Sequence, residues 1–238
     1  MEPTTYSTGY RPLVALRALR QLIANPADTA QVFTIIEALS GGAPDRIMRR
    51  FRESPSGRKL LQSHSNLLTR LADRAALEAL PDGTLGRAYL AFIDREGITP
   101  DGLVDASVEG ELGEWRTRGD DFSYVNNRLR DTHDLWHVVT GYGGDVLGEA
   151  ALLGFIAAQT TNPGMATMAF AAVLRSGDRE VAKKVLAAFR AGRRAVWLVP
   201  IEWEALLAEP LDIVRARLGI VPVAPYVRLG TDWRREAA

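Results

Sequence analysis

The chain has 238 residues, 47% hydrophobic and 24% charged, which is ample for a buried core and ordinary for a globular protein. Basic and acidic residues balance at 29 each, and there is no cysteine; the basic excess of a nucleic-acid binder is missing, and disulfides, thiolate metal sites and thiol nucleophiles are excluded. The start has no apolar h-region of a secretory signal, and the longest apolar run, Ala150–Ala158, is about half of the roughly 20 residues a membrane span needs, so a cytoplasmic protein is expected, with membrane-surface contact left open.

Apolar residues at Leu13, Leu16, Leu19 and Leu22/Ile23 recur near the helical period and predict a first helix over Arg11–Asn25, ended by Pro26. Asp28 to Gln31 resembles a capping box and opens a second helix to about Ser40, closed by Gly41-Gly42. A third helix is predicted over Ala43–Arg52, then a break at Ser54–Gly57. Helical pattern resumes from Gly57 to Leu80 with an interruption near Ser63; Pro81-Asp82-Gly83 is a turn, Thr84–Glu96 a helix, and Gly97–Glu114 is mixed and Gly-rich. Asp121 or Ser123 can cap a helix running through Tyr124, His133 and His137 to about Thr140. Gly141-Tyr142-Gly143-Gly144 is a loop, because three glycines in four positions do not sustain a helix. Asp145 is a good N-cap for the next helix, to about Thr160. Further helices are predicted over Pro163–Leu174, Asp178–Arg190 and Ile201–Leu218, the last broken near Pro210. Pro222 and Pro225 make the following segment an extended tail. The sum is all-α, a single helical bundle over 1–238 with no visible domain boundary.

One constellation carries chemistry. His133 and His137 are four apart, so on a helix they share a face with Cβ atoms about 5–6 Å apart, and Asp134 leans toward the same sector. Two residues about equally far from a short loop between antiparallel helices face each other, which sets Glu149 opposite His137. A carboxylate in the mostly apolar segment around Ala150 also needs a partner. His133, Asp134, His137 and Glu149 are therefore expected to bind one divalent cation. In the zinc-protease pattern H-E-x-x-H the central glutamate is the general base; here Asp134 stands there, one methylene shorter, which weakens a hydrolase reading. His64, in a Ser-rich turn, is taken as a surface residue.

Arg128 to His137, followed by Gly148-Glu149, resembles the coenzyme Q (ubiquinone) biosynthesis protein four family, whose signature H-D-x-x-H-x11-E is matched at every position. Pro81 to Tyr89, Ile201 to Glu204 and Pro210 to Ile220 resemble further segments of that family, while Leu129 and Asp131 depart from its usual aromatic and glutamate. With no presequence apparent, the chain resembles a bacterial member. The resemblance implies an all-helical fold and zinc at the four motif residues. It also implies work in ubiquinone synthesis on a prenylated aromatic quinone precursor, together with other synthesis proteins and a membrane surface. That places the chain in the cytoplasm, peripheral on the inner face of the bacterial membrane. The implied reaction replaces the ring C1 carboxyl by hydroxyl, an oxidative decarboxylation; the alternative is a non-catalytic lipid-binding scaffold.

Other residues stay open at this stage. Zinc has no redox chemistry of its own, and iron or another divalent ion also suits two histidines with carboxylates. Arg128 and Arg130 could hold a carboxylate or phosphate, or form a solvated face. Trp136 could line a ring pocket, although a core role is the commoner one. The small-residue stretches Ala150–Ala158 and Met165–Val173 could form an isoprenoid groove or simply allow close helix packing. No nucleic acid is expected, and a homo-oligomer is left open.

Overall fold

Side-chain caps and prolines decide where most of the helices begin. In the computed structural model, residues 9–25, 28, 30–99 and 119–228 are described, and among them the architecture is all-α. In chain order the helices are α1 (Pro12–Ala24), α2 (Ala30–Leu39), α3 (Ala43–Glu53), α4 (Pro55–Ser63), α5 (Leu67–Ala72), α6 (Arg74–Glu78), α7 (Leu85–Glu96), α8 (Asp120–Asp131), α9 (His133–Thr140), α10 (Val146–Thr160), α11 (Pro163–Ser176), α12 (Arg179–Arg194), α13 (Trp203–Leu206) and α14 (Leu211–Leu218). Ser54, Asn66, Asp73, Thr84, Asp145, Asn162 and Asp178 each accept a first-turn backbone N–H, satisfying donors that have no partner within the helix. Most of Gly97–Glu114 lies outside the described residues, as does Pro26.

Three expectations change. The break at Ser54–Gly57 shrinks to one residue, because Ser54 both ends α3 and caps α4. The single helix expected from Asp121 to Thr140 is divided at Thr132, whose hydroxyl donates to Leu129 O at 2.9 Å; such back-bonding competes with the helical ladder. In α1 the predicted leucine stripe is turned partly outward: Leu13 is 77% and Leu16 46% exposed, while Ala15 and Ala18 are buried. Alanines let α1 lie close to Ile35 and Ala38 of α2 in a small cluster of their own.

The main core draws on α3 to α10 and α12 to α14 around Phe51, Tyr89, Trp136, Phe155 and Trp203. The small residues of α10 serve close packing: a Cβ on Gly154 would lie 2.8 Å from Val185 O, and one on Gly192 2.7 Å from Phe155 O. At these two glycines α10 and α12 pack closely, as one of the two readings of the Ala150–Ala158 stretch expects. Gln159 ties the same helices to the following loop, donating to Gly192 O at 2.7 Å and accepting from Leu198 N at 2.8 Å.

Arg128 links α8 to α13. It is 3% exposed and donates to both carboxylate oxygens of Glu204 at 2.7 Å and to Ile201 O at 2.8 Å. Burial alone would raise the Glu204 pKa, but the hydrogen bonds and charge of Arg128 bring it below the ordinary 4.5. A carboxylate whose folded pKa is depressed stabilises the fold above its unfolded pKa, and that contribution is lost as pH falls through the folded value. Replacing Arg128 by Met leaves a part-buried charge unpaired and should lower stability by about 3 kcal/mol, or about 6–12 °C in Tm for a chain of this size. Thermal melts from pH 7 to 3 check this: Glu204→Gln should flatten the acid limb below about pH 4.5. An unchanged limb would show that the pair is not felt in folding.

Candidate metal centre

The site forms where α9 turns into α10. Gly141, at φ +80°, ends α9 in the left-handed conformation, which costs an L side chain about 1 kcal/mol or more. Asp145 then restarts the helix by accepting from Leu147 and Gly148 N–H. The C-terminal carbonyls of α9 are held by Arg215, which donates to Val139 O at 2.9 Å and Val138 O at 2.8 Å.

This turn brings three of the four expected ligands together. His137 Nε2 lies 3.2 Å from Glu149 Oε1, and His133 Nε2 lies 3.7 Å from Glu149 Oε2. One ligand atom from each of His133, His137 and Glu149 falls within 4.8 Å of the others. For bonds of about 2.0–2.1 Å, tetrahedral ligand atoms sit about 3.3 Å apart, so the separations already resemble a coordination edge.

Asp134 is the exception. It is buried, and its Oδ1 lies 3.0 Å from His133 Nδ1, the ring nitrogen turned away from the cluster. Three of the four expected ligands are thus gathered, and Asp134 stands behind His133. The cause is local: neighbouring residues project about 100° apart on a helix, and the short aspartate reaches the adjacent ring.

The fit to a cation rests on His137. The residue is 1% exposed, its Nδ1 lies 3.1 Å from Tyr142 O, and its Nε2 is buried with no hydrogen-bond partner. Nδ1–H donates to the carbonyl, so Nε2 is the nitrogen that faces Glu149, which is how a metal-binding imidazole is oriented. Phe92 of α7 stacks on the same ring, centroids 5.1 Å apart. Burial lowers the His133 pKa, but the hydrogen bond to Asp134 and the charges of Glu149 and Asp134 raise it above 6.5. Burial pushes the Glu149 carboxyl up, yet contact with His137 and the charges of both imidazoles hold it below 4.5.

The substrate-binding candidates fall elsewhere. Trp136 is 2% exposed and packs edge-to-face on Phe155; it is a core residue, and the ring-pocket expectation is corrected. Arg128 is committed to Glu204, so the solvated-face reading fails for it, and Arg130 pairs with Asp131 at 2.9 Å. Both arginines line a cavity of about 180 Å³ with His64, Asn66, Tyr124 and Asn127, and no residue of the cluster lines it. Sequence reasoning missed Phe92, Tyr142 and Arg215. Only Tyr142, inside the glycine loop, had a local signal.

Fold and site define an all-helical protein with a two-histidine, one-glutamate candidate metal centre on adjoining helices. The family model described as Coenzyme Q (ubiquinone) biosynthesis protein Coq4 matches residues 7–224, and the chain belongs to that family of ubiquinone biosynthesis proteins. It is 34% identical over 188 residues to the mitochondrial ubiquinone biosynthesis protein COQ4 of Pyricularia oryzae, covering 77% of this chain and 59% of the relative. It is 28% identical over 221 residues to the mitochondrial COQ4 homolog of Homo sapiens, covering 91% and 80%. The chain thus spans little more than half the length of the fungal relative. A crystal structure from Nostoc punctiforme, provisionally designated a ubiquinone biosynthesis protein, shares the fold at a TM-score of 0.62 and 23% identity, covering 89% of this chain and 99% of that one.

The placement of Asp134 has a direct consequence. A ligand-orienting carboxylate typically contributes 10–100-fold to metal affinity. Asp134→Asn should therefore weaken Zn²⁺ binding by about 10-fold, and His133→Ala by considerably more, as read by chelator competition. Equal losses in the two variants would make Asp134 a ligand in its own right.

Proposed function

We propose that this chain is a metal-dependent enzyme of ubiquinone synthesis that replaces the ring C1 carboxyl of a prenylated aromatic precursor by hydroxyl. The reading rests on the convergence of His133, His137 and Glu149, with the buried Nε2 of His137 3.2 Å from Glu149 Oε1, together with membership of the Coq4 family. Breaking the C1–carboxyl bond releases carbon dioxide, and dioxygen accepts the two electrons that the ring gives up. The balance closes with water consumed and hydrogen peroxide formed. His133, His137 and Glu149 would hold the ion, zinc by family resemblance, with iron(II) also suited to the donor set. A bound divalent cation supplies positive charge that anchors and polarises a carboxylate or ring oxygen.

The remaining work belongs to the chain. Tyr142 O fixes the tautomer of His137, and Asp134 holds His133 in place. Phe92 covers one face of His137 and keeps water from it. Glu149, with its side chain 43% exposed, and His133, 25% exposed, leave the cluster open on one side for an aromatic acid to approach. Purified protein given the carboxylated prenyl precursor under oxygen should release carbon dioxide and form the hydroxylated ring. Glu149→Ala should reduce turnover at least 100-fold, as loss of a metal ligand implies. Undiminished turnover after the metal is stripped would remove the proposal.

A second reading, a non-catalytic lipid-binding scaffold for other synthesis proteins, has its own observation. Exposed Tyr10, Leu13 and Leu16 lie beside exposed Arg17 and Arg20 on α1, a pattern suited to an anionic membrane surface. No helix among the described residues is long and apolar enough to cross a membrane. This supports a peripheral position, which we assign to the cytoplasmic face of a bacterial membrane. Full rescue of quinone synthesis by His137→Ala, coupled with its loss in Leu13→Ser/Leu16→Ser, would favour the scaffold. The reverse pattern favours the enzyme.

A further inference from the structure

After α14 the chain runs without regular structure from Ile220 to Arg228 and crosses the loop that joins α9 to α10. Val223 N–H donates to Thr140 O at 2.8 Å. The Tyr226 hydroxyl then accepts from Gly143 N–H and donates to Asp145 Oδ2, each at 2.9 Å. The other Asp145 oxygen caps α10, so one side chain holds the helix start and is itself held by the tail. Arg228 Nε lies 3.4 Å from Asp145 Oδ2, and its Nη2 pairs with Glu96. Glu96 stands one helical turn after Phe92, the residue stacked on His137.

The glycines of the turn are shaped to this crossing. A Cβ on Gly148 would come within 2.6 Å of the Tyr226 hydroxyl, and one on Gly143 within 3.1 Å of Arg228 Nη2. Glycine-rich loops lose the most conformational freedom on ordering, so without an external hold the angle between α9 and α10 is weakly set. That angle fixes where Glu149, one turn beyond Asp145 with its N–H bonded to Asp145 O at 2.9 Å, stands relative to His137.

We infer that Tyr226 is a positioning residue for the metal centre, its hydroxyl bridging Gly143 and Asp145 so that Glu149 is held opposite His133 and His137. Tyr226 and Arg228 lie beyond residues 7–224 that the family model matches. The inference rests on the metal reading given above.

Full-length protein titrated with Zn²⁺ under chelator competition, and loaded with Co²⁺ for its d–d absorption spectrum, tests it. Tyr226→Phe should raise the Zn²⁺ Kd about 10-fold, at the lower end of what orienting groups contribute, and should alter the Co²⁺ band. Ile47→Val, a core trim in α3 expected to cause a comparable loss of Tm, should leave both unchanged. Wild-type-like Kd and spectrum in Tyr226→Phe overturn the inference, and so does an equal loss in Ile47→Val, which would mark a general stability effect. Absence of binding by the wild type, matched by Glu149→Ala, would instead bring down the metal reading beneath it.

Discussion

A single hydrogen bond organises the candidate centre. Donation from His137 Nδ1–H to the carbonyl of Tyr142 sets the tautomer of an imidazole with almost no contact with solvent. Its other nitrogen then faces the Glu149 carboxylate at 3.2 Å, without a well-formed hydrogen bond. A buried polar atom in that state costs about 1–3 kcal/mol unless something meets it. The acceptor carbonyl belongs to the loop that reverses the chain and delivers Glu149. The bond that orients one donor is thus built into the turn that supplies another.

Around this bond the fold works as a set of supports. Arg215 closes the carbonyl end of α9, Phe92 stacks on the His137 ring, and the C-terminal tail grips the turn through Val223 and Tyr226. On the opposite side of the motif, Trp136 anchors α9 in the core and Arg128 ties α8 to α13. Side chains that adjoin the histidines in sequence therefore divide by helix face. Those on the face of His133 and His137 gather at the candidate centre, and those turned away secure the helix.

Much of this was legible in the residue pattern. The boundaries of α10, the glycine loop and the opposition of Glu149 to His137 follow from Asp145 as a cap and from helical spacing. Capping and helical spacing are local rules, so a short stretch of sequence states them. The break at Thr132 depends on a side-chain hydroxyl competing for a backbone carbonyl, which helical periodicity does not register. The outward turn of Leu13 and Leu16 was hidden for another reason: the alanines of α1 gain close contact with α2, and hydrophobicity alone ranks leucine above alanine for the core. Spacing places Asp134 near the ligand sector, while its short side chain meets the neighbouring His133 ring. Phe92, Arg215 and Tyr226 come from segments far away along the chain, so no local spacing could announce them. Family membership, by contrast, was carried by the four residues of the H-D-x-x-H-x11-E signature, and the family match over residues 7–224 bears it out.

The central claim is that two imidazoles and a carboxylate share one cation. X-ray absorption at the metal edge of the purified protein counts those ligands directly. The account predicts a shell containing two imidazoles in the wild type and one in His137→Ala. A protein that binds no divalent ion, or an ion whose shell holds no imidazole, would contradict it.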